Sequence, residues 1–225
     1  MDKEFLDHLV SFVSENKQNK FTEVLNNRTR HLTVVLEDIY QPHNASAVLR
    51  SCDCFGVQDI HIIENRNKYN VNPKIVVGSN KWLDLKYHNE QKENTLACIN
   101  DLKAKGYTIV ATTPHNDDVL LPELPIDKPI ALMFGTEQDG LTDVALEHAD
   151  VFMRIPMYGF TESYNISVSA ALSLQSITDR LHKSDVEWQL SEDEKNEIKL
   201  DWAKKVVRNW KGYEKEFLRA RKNKN

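Results

Sequence analysis

Four short apolar runs limit what this chain can become: LTVVLED (32–38), DIHIIE (59–64), YTIVATT (107–113) and PIALMFG (129–135). Each is shorter than a usual buried helix, and each reads as a buried strand. Between them lie stretches of helical period. NASAVLRSCDCFG (44–56) reads as a helix stopped by Gly56, and 90–104 as a helix ending before Gly106. LDLKYH (83–88) alternates like a further strand, another short strand is expected at 151–155, and Thr142 is expected to N-cap a helix. From Tyr164 to Leu181, apolar residues at Ile166, Ala170, Leu174, Ile177 and Leu181 share one helical face. Strands alternating with helices predict an α/β domain with a mostly parallel sheet, because parallel crossovers need a helix's worth of chain.

The ends of the chain follow a different pattern. Phe5, Leu6, Leu9, Phe12 and Val13 fall at helical spacing over 4–16, and a second short helix is expected over 20–27. Residues 183–191 are polar without a period and read as a linker. After Ser191 an N-cap signal precedes acids, and the segment ends in bases, a charge order that suits the helix dipole. The expected organisation is a helical extension over 1–30, an α/β domain over 31–182 and a second helical extension over 183–225.

Charge narrows the partners without naming one. A net charge of −5 and a pI near 5.9 argue mildly against nucleic-acid binding. The distribution is uneven, however: from Lys195 to Asn225, eleven Lys or Arg stand against four Asp or Glu. That tail fits an electrostatic grip on RNA, and it equally fits a solvated helix face. No apolar run is long enough to span a bilayer, and the charged start MDKE does not resemble a secretory signal. Cys52, Cys54 and Cys98 are odd in number and lack zinc-site spacing, so they read as reduced thiols in a cytosolic protein.

In open parallel sheets, ligands collect beyond the carboxyl ends of strands, and three joints of that kind carry polar residues. In EDIYQPHNASAVLR, Asn44 is placed to N-cap a helix and Arg50 follows six residues later. Exposed backbone N–H groups with a guanidinium would suit a phosphate, and a capped helix with a surface arginine explains the same residues. In LMFGTEQDGLT (132–142), Gly135 and Gly140 flank the carboxylate of Glu137. The glycines permit a tight bend and close approach to a ligand, but their spacing is not a dinucleotide fingerprint. In RIPMYGFTESYNISVSAALSL (154–174), a loop with Gly159, Thr161, Glu162 and Ser163 enters a helix that begins with small residues. A core helix with a polar cap accounts for it equally well.

Together the three joints resemble the TrmH (SpoU) family of SPOUT RNA methyltransferases over about residues 30–182. That family carries an Asn followed six residues later by an Arg, here NASAVLR; a Gly-x-Glu-x-x-Gly turn after an apolar strand, here FGTEQDGLT; and a segment of the form IPM…S-x-N-x-S-x-[AS]-x-A, here IPMYGFTESYNISVSAA. GSNKWL (78–83) is similar to a Gly-[ST]-x-Lys-Trp segment of the tRNA-specific branch. The resemblance implies a trefoil-knotted α/β fold, S-adenosylmethionine as co-substrate, no metal, and a homodimer whose interface lies beside the knot. It implicates Thr112, Gly135, Ile155 and Tyr164 in binding the co-substrate. Tyr164 stands where the family usually has Leu, so a larger, polar ring shapes that wall.

The resemblance further implies methylation of a ribose 2′-hydroxyl in tRNA, with guanosine at position 18 of the D-loop as the expected target. Arg50 is expected to act on the acceptor. Arginine stays protonated, so orientation and charge stabilisation are favoured over proton abstraction. Asn44 would hold Arg50 or a phosphate, while Glu137, Ser163 and Asn165 would organise the pocket. The terminal helices resemble the extensions by which tRNA-specific members grip tRNA. Ribosomal-RNA members usually carry a separate N-terminal RNA-binding domain, and about thirty residues before the first strand are too few for one. The alternatives are methylation of another tRNA or rRNA nucleotide, a non-catalytic RNA-binding protein of the same fold, and an unrelated nucleotide-binding α/β domain. The last is disfavoured by the lack of a phosphate-loop or dinucleotide fingerprint.

Overall fold

The computed structural model describes residues 2–70, 72–76, 78–114 and 119–222. The chain forms two compact units, Thr29–Trp188 and a second made of Met1–Arg28 together with Gln189–Asn225.

The larger unit is a seven-stranded sheet. Its strands are β1 (Leu32–Glu37), β2 (Asp59–Ile63), β3 (Asp84–His88), β4 (Thr108–Thr112), β5 (Val119–Leu120), β6 (Ile130–Phe134) and β7 (Val151–Arg154). They lie in the order β3-β2-β1-β6-β4-β7-β5, and every paired neighbour runs parallel. The expected α/β class with a mostly parallel sheet is therefore present. β1, β2 and β6 are buried along their whole length, as strands covered on both faces must be. One face packs Val34, Leu36, Ile60, Ile62, Leu132 and Phe134 against Val48, Leu49, Leu174 and Ile177. The other packs Val35, Ile63, Ile109, Ala111 and Met133 against Cys98, Ile99 and Leu102.

Order in the sheet departs from order in the chain at two places. β6 is laid between β1 and β4, and β7 between β4 and β5. The segment running from β7 into the next helix thus starts between β4 and β5. Register brings the carboxyl ends level: Leu36 pairs with Phe134, Ala111 with Met133, and Thr112 with Met153.

In this unit the helices are Pro42–Cys54, Pro73–Val76, Thr95–Ala104, Asp143–Glu147 and Ile166–His182; they are α3 to α7, after the two N-terminal helices given below. Several boundaries differ from the sequence reading. The helix expected over 90–104 starts at Thr95, because Asn94 folds back and donates to the carbonyls of Gln91 and Glu64 at 2.9 and 3.1 Å. Val119–Leu120 is a strand that two residues of pattern could not announce. Part of the expected linker is packed: Trp188 is 7 % exposed, its ring lies 4.2 Å from that of His182, and its carbonyl accepts from Thr29 Oγ1 at 2.5 Å. Cys52 and Cys98 are buried free thiols and Cys54 an exposed one.

The smaller unit joins both ends of the sequence. Its helices are α1 (Lys3–Val10), α2 (Glu15–Leu25), α8 (Glu192–Val206) and α9 (Trp210–Lys222). The single helix expected over 4–16 ends at Val10, and α2 starts at Glu15 behind Ser14. Phe5, Leu6, Leu9, Phe21, Leu25, Ile198 and Trp202 form the buried interior. Trp202 meets Phe21 edge-on at 5.3 Å, with the Arg28 guanidinium 5.7 Å from its ring. The capping signal at Ser191 is realised in full. Its side chain receives the Glu194 N–H, and Glu194 accepts from the Ser191 N–H at 2.8 Å. Near the two ends of this unit, Asp2 and Arg221 form an ion pair at 2.6 Å.

Candidate functional site

The three polar joints meet at the carboxyl edge of the sheet. β1 leads through Asp38 into α3, which starts one turn earlier along the chain than Asn44 alone suggests. Gln41 is the N-cap and Pro42 opens the helix, since its fixed φ suits the first turn and its missing N–H goes unused there. Asn44 is therefore not the cap but the third residue of the helix, and its amide is free to face another segment. It is buried, and its Nδ2 donates to Glu137 Oε1 and, at 3.3 Å, to Gln41 Oε1. Asn44 Oδ1 accepts from Asn165 Nδ2 at 3.1 Å. Asn165 is the N-cap of α7, where its Oδ1 accepts from the Ser167 N–H at 2.9 Å. A line of hydrogen bonds, Glu137–Asn44–Asn165, thus ties the three joints together.

The turn carrying Glu137 is shaped by its glycines. Thr136 and Gly140 exchange backbone hydrogen bonds at 2.9 and 3.1 Å, and Gly140 has φ of 69°. A Cβ on Gly135 would lie 2.0 Å from the Gly140 carbonyl oxygen, so no other residue fits while the turn is closed. Thr142 then caps α6, receiving the Ala145 N–H as expected.

Behind this turn stands a residue that the sequence reading missed. Glu37, buried at the end of β1, accepts from the Thr142 N–H at 2.9 Å, from Thr142 Oγ1 at 2.7 Å and from Thr95 Oγ1 at 2.5 Å. It fixes where the Glu137 turn ends. Its neighbour Asp38 has φ of 54°, and its Oδ1 receives the N–H groups of Asn65, Arg66 and Asn67 at 2.7, 2.9 and 3.3 Å. The signal available in sequence was a pair of acids closing an apolar strand, which looks the same as a solvated strand end.

Arg50 stands apart from the hydrogen-bonded line. Six residues beyond Asn44, it lies about 9 Å further along the helix axis and on a different face. It is exposed and, among the described residues, has no carboxylate partner and no hydrogen bond to Asn44. Ser163 is also exposed, in the loop two residues ahead of the cap of α7.

The other implicated residues end three adjacent strands. Thr112 closes β4, and its hydroxyl donates to the Met133 carbonyl at 2.8 Å. Gly135 follows β6, and Ile155 follows β7, packed on the larger core. Tyr164 is 40 % exposed, and its hydroxyl donates to the Pro156 carbonyl at 3.5 Å, bending the 156–164 loop back on itself. Backbone groups at three strand ends, an isoleucine and an aromatic ring make a donor set that suits an adenosine: polar edges met by backbone, flat faces met by apolar side chains.

GSNKWL serves packing beside β2. The Trp82 carbonyl accepts from Gln58 Nε2 at 3.2 Å, and Lys81 Nζ lies 5.1 Å from the Trp82 ring centre.

The fold and the relatives together make this an RNA methyltransferase of the SPOUT class. The chain belongs to the SpoU rRNA methylase family, whose model matches residues 31–175. It is 42 % identical over 202 residues to the tRNA (guanosine(18)-2'-O)-methyltransferase of Borreliella burgdorferi, covering 90 % of this chain and 91 % of that one. The enzyme of the same description from Thermus thermophilus is 37 % identical over 161 residues, 72 % of this chain and 81 % of its own. Among solved structures, the A. aeolicus TrmH/SpoU tRNA modifying enzyme superposes with a TM-score of 0.76 at 31 % identity, over 86 % of this chain and 98 % of that one.

Proposed function

We propose that this chain methylates the ribose 2′-hydroxyl of guanosine 18 in tRNA, with S-adenosylmethionine as methyl donor. The observation that carries the reading is the Glu137–Asn44–Asn165 line, which unites the three family segments beside Thr112, Gly135 and Ile155. Support for the target comes from relatives that align over most of their length and carry that activity in their descriptions.

When bound, the donor supplies a methyl group on a sulfonium, a good leaving group for in-line transfer to oxygen. Thr112, Gly135, Ile155 and Tyr164 hold it by backbone contacts and an apolar wall. Asn44, Glu137, Ser163 and Asn165 shape the space between donor and acceptor, and Asn44 keeps the Glu137 carboxylate turned inward. Arg50 orients the acceptor ribose through its phosphate and stabilises the oxygen as it loses its proton; the guanidinium itself stays protonated. Positioning supplies most of the rate in such a reaction.

The α/β domain over 31–182 carries the chemistry, and the extensions over 1–30 and 183–225 grip tRNA. The active form is a cytoplasmic homodimer. Val168 and Leu172 on α7 and Tyr164 just ahead of its cap are exposed at helical spacing, and Tyr158 and Phe160 are exposed in the preceding loop, surface suited to a second copy of this chain. Among the described residues, no helix is long and apolar enough to cross a membrane.

The test is methyl transfer from labelled donor to a tRNA carrying guanosine at position 18, compared with the same tRNA carrying 2′-deoxyguanosine there. Label should enter the first and not the second. Equal incorporation into both would move the target elsewhere.

A further inference from the structure

On the sheet face covered by α5, three ligand-type side chains from three elements converge. His61 comes from β2, His88 from the end of β3 and Cys98 from the middle of α5. In the ladder His61 pairs with Lys86 and Ile63 with His88, so the two histidines sit diagonally on one face. Their ligand atoms and the Cys98 sulfur all lie within 4.8 Å of one another. His61 Nδ1 is 2.9 Å from His88 Nε2 and 3.9 Å from Cys98 Sγ.

A hydrogen-bonded histidine pair explains the first contact and not the convergence. If His61 Nδ1 carries the shared proton, the thiol finds no acceptor there. If His88 Nε2 carries it, the thiol proton competes for the one lone pair on His61 Nδ1. A cation at the centre serves all three at once. Tetrahedral zinc, with bonds of about 2.0 Å to nitrogen and about 2.3 Å to sulfur, sets N···N near about 3.3 Å and N···S near about 3.6 Å. The two separations measured from His61 Nδ1 differ from those by a few tenths of an ångström.

We propose that His61, His88 and Cys98 form a three-ligand site for a zinc-type divalent cation, distinct from the methyl-transfer site. Two nitrogens and a sulfur are the donor set such an ion selects. His61 is buried, which favours the neutral imidazole that ligation needs. The Cys98 thiol yields its proton to solvent as the sulfur–metal bond forms. His88 is half-buried and gives solvent access, leaving the fourth position to water. The ion braces β2, β3 and α5 against one another. Thr95, one turn before Cys98, is the residue that donates to Glu37 behind the Glu137 turn. No spacing in the sequence announces the site, because its members are 27 and 10 residues apart and meet only through strand pairing and helix packing.

The experiment is titration of reduced, chelator-treated full-length protein with Co2+. A thiolate-to-cobalt charge-transfer band should grow to one equivalent and be displaced by Zn2+. Cys98→Ser should abolish the band, and His88→Gln, at the half-buried position, should weaken Co2+ binding at least tenfold. Cys54→Ser removes the exposed thiol and should leave the band intact, with Zn2+ still raising Tm. Absence of the band from the wild-type protein, its survival in Cys98→Ser, or its loss in Cys54→Ser would overturn the proposal. If the buried Cys98 substitution fails to fold, the wild-type, Cys54→Ser and His88→Gln titrations decide the matter, since a band arising at Cys52 would be indifferent to His88.

Discussion

Replacing Arg50 with alanine removes an exposed cation and little packing, so fold and donor binding should survive. Turnover should fall by more than tenfold, a loss above about 1.4 kcal/mol in transition-state stabilisation. Single-turnover kinetics beside calorimetry of S-adenosylmethionine would show it, and a variant keeping more than a tenth of kcat would remove Arg50 from its assigned role. Asn44→Ala acts differently. The residue is not a cap, so its loss deprives Glu137 and Asn165 of a partner at a cost of about 1–3 kcal/mol, and both donor affinity and Tm should fall. An unchanged Tm would mean that the hydrogen-bonded line carries no structural weight. Residue types were legible here, and their contacts were not: Asn44 lies 93 residues from Glu137 and 121 from Asn165. Glu37 was illegible for the opposite reason, since nothing local distinguishes a buried acid bonded to distant Thr142 from one left in water.

Elements with a strong internal period were the readable part of the fold. The four apolar strands and α7 appear within a residue or two of their expected bounds. Boundaries set by distant partners were not readable, as with α5, whose start depends on Asn94 reaching the carbonyl of Glu64. The Glu137 turn was legible as a glycine pair, and its tolerance can be measured. Gly135→Ala pushes a methyl group into the Gly140 carbonyl, so it should destabilise by about 1–3 kcal/mol and lower Tm by roughly 2–4 °C per kcal/mol. Methyl transfer should drop further than stability alone explains. A Gly135→Ala protein with wild-type Tm would show that the turn opens freely. On α7, the exposed stripe separates assembly from folding. Val168→Glu should leave secondary structure intact and shift the sedimenting species to a monomer, whereas an unaltered mass would place the dimer contact elsewhere.

At the scale of the whole molecule, alternation of strands and helices gave the class but not the order of strands. Which slot β6 and β7 take depends on contacts between faces that all look alike, apolar and β-branched, in sequence. The basic tail also carries packing that charge counting did not show. Tyr213 stacks on Phe12 at 3.9 Å and Phe217 meets Phe5 at 5.5 Å, so deleting the tail would strip packing along with charge. Lys215, Arg219 and Lys222 are exposed and can be changed alone. Their joint replacement by alanine should weaken tRNA binding and flatten the slope of log K against log salt by up to about 2–3 units, leaving donor affinity unchanged. An unaltered slope would make that face a solvated helix surface.

The smaller unit draws its helices from both ends of the sequence, and that has a consequence for synthesis. Phe5, Leu6, Leu9, Phe21 and Leu25 leave the ribosome well before Ile198 and Trp202, which share their interior and emerge some 170 residues later. At about 5–20 residues per second, the nascent chain carries that apolar face unpaired for roughly ten to thirty-five seconds. During that interval the N-terminal helices are a ready client for a chaperone. Of the two units, this one can close only after the whole of the larger one has been synthesised.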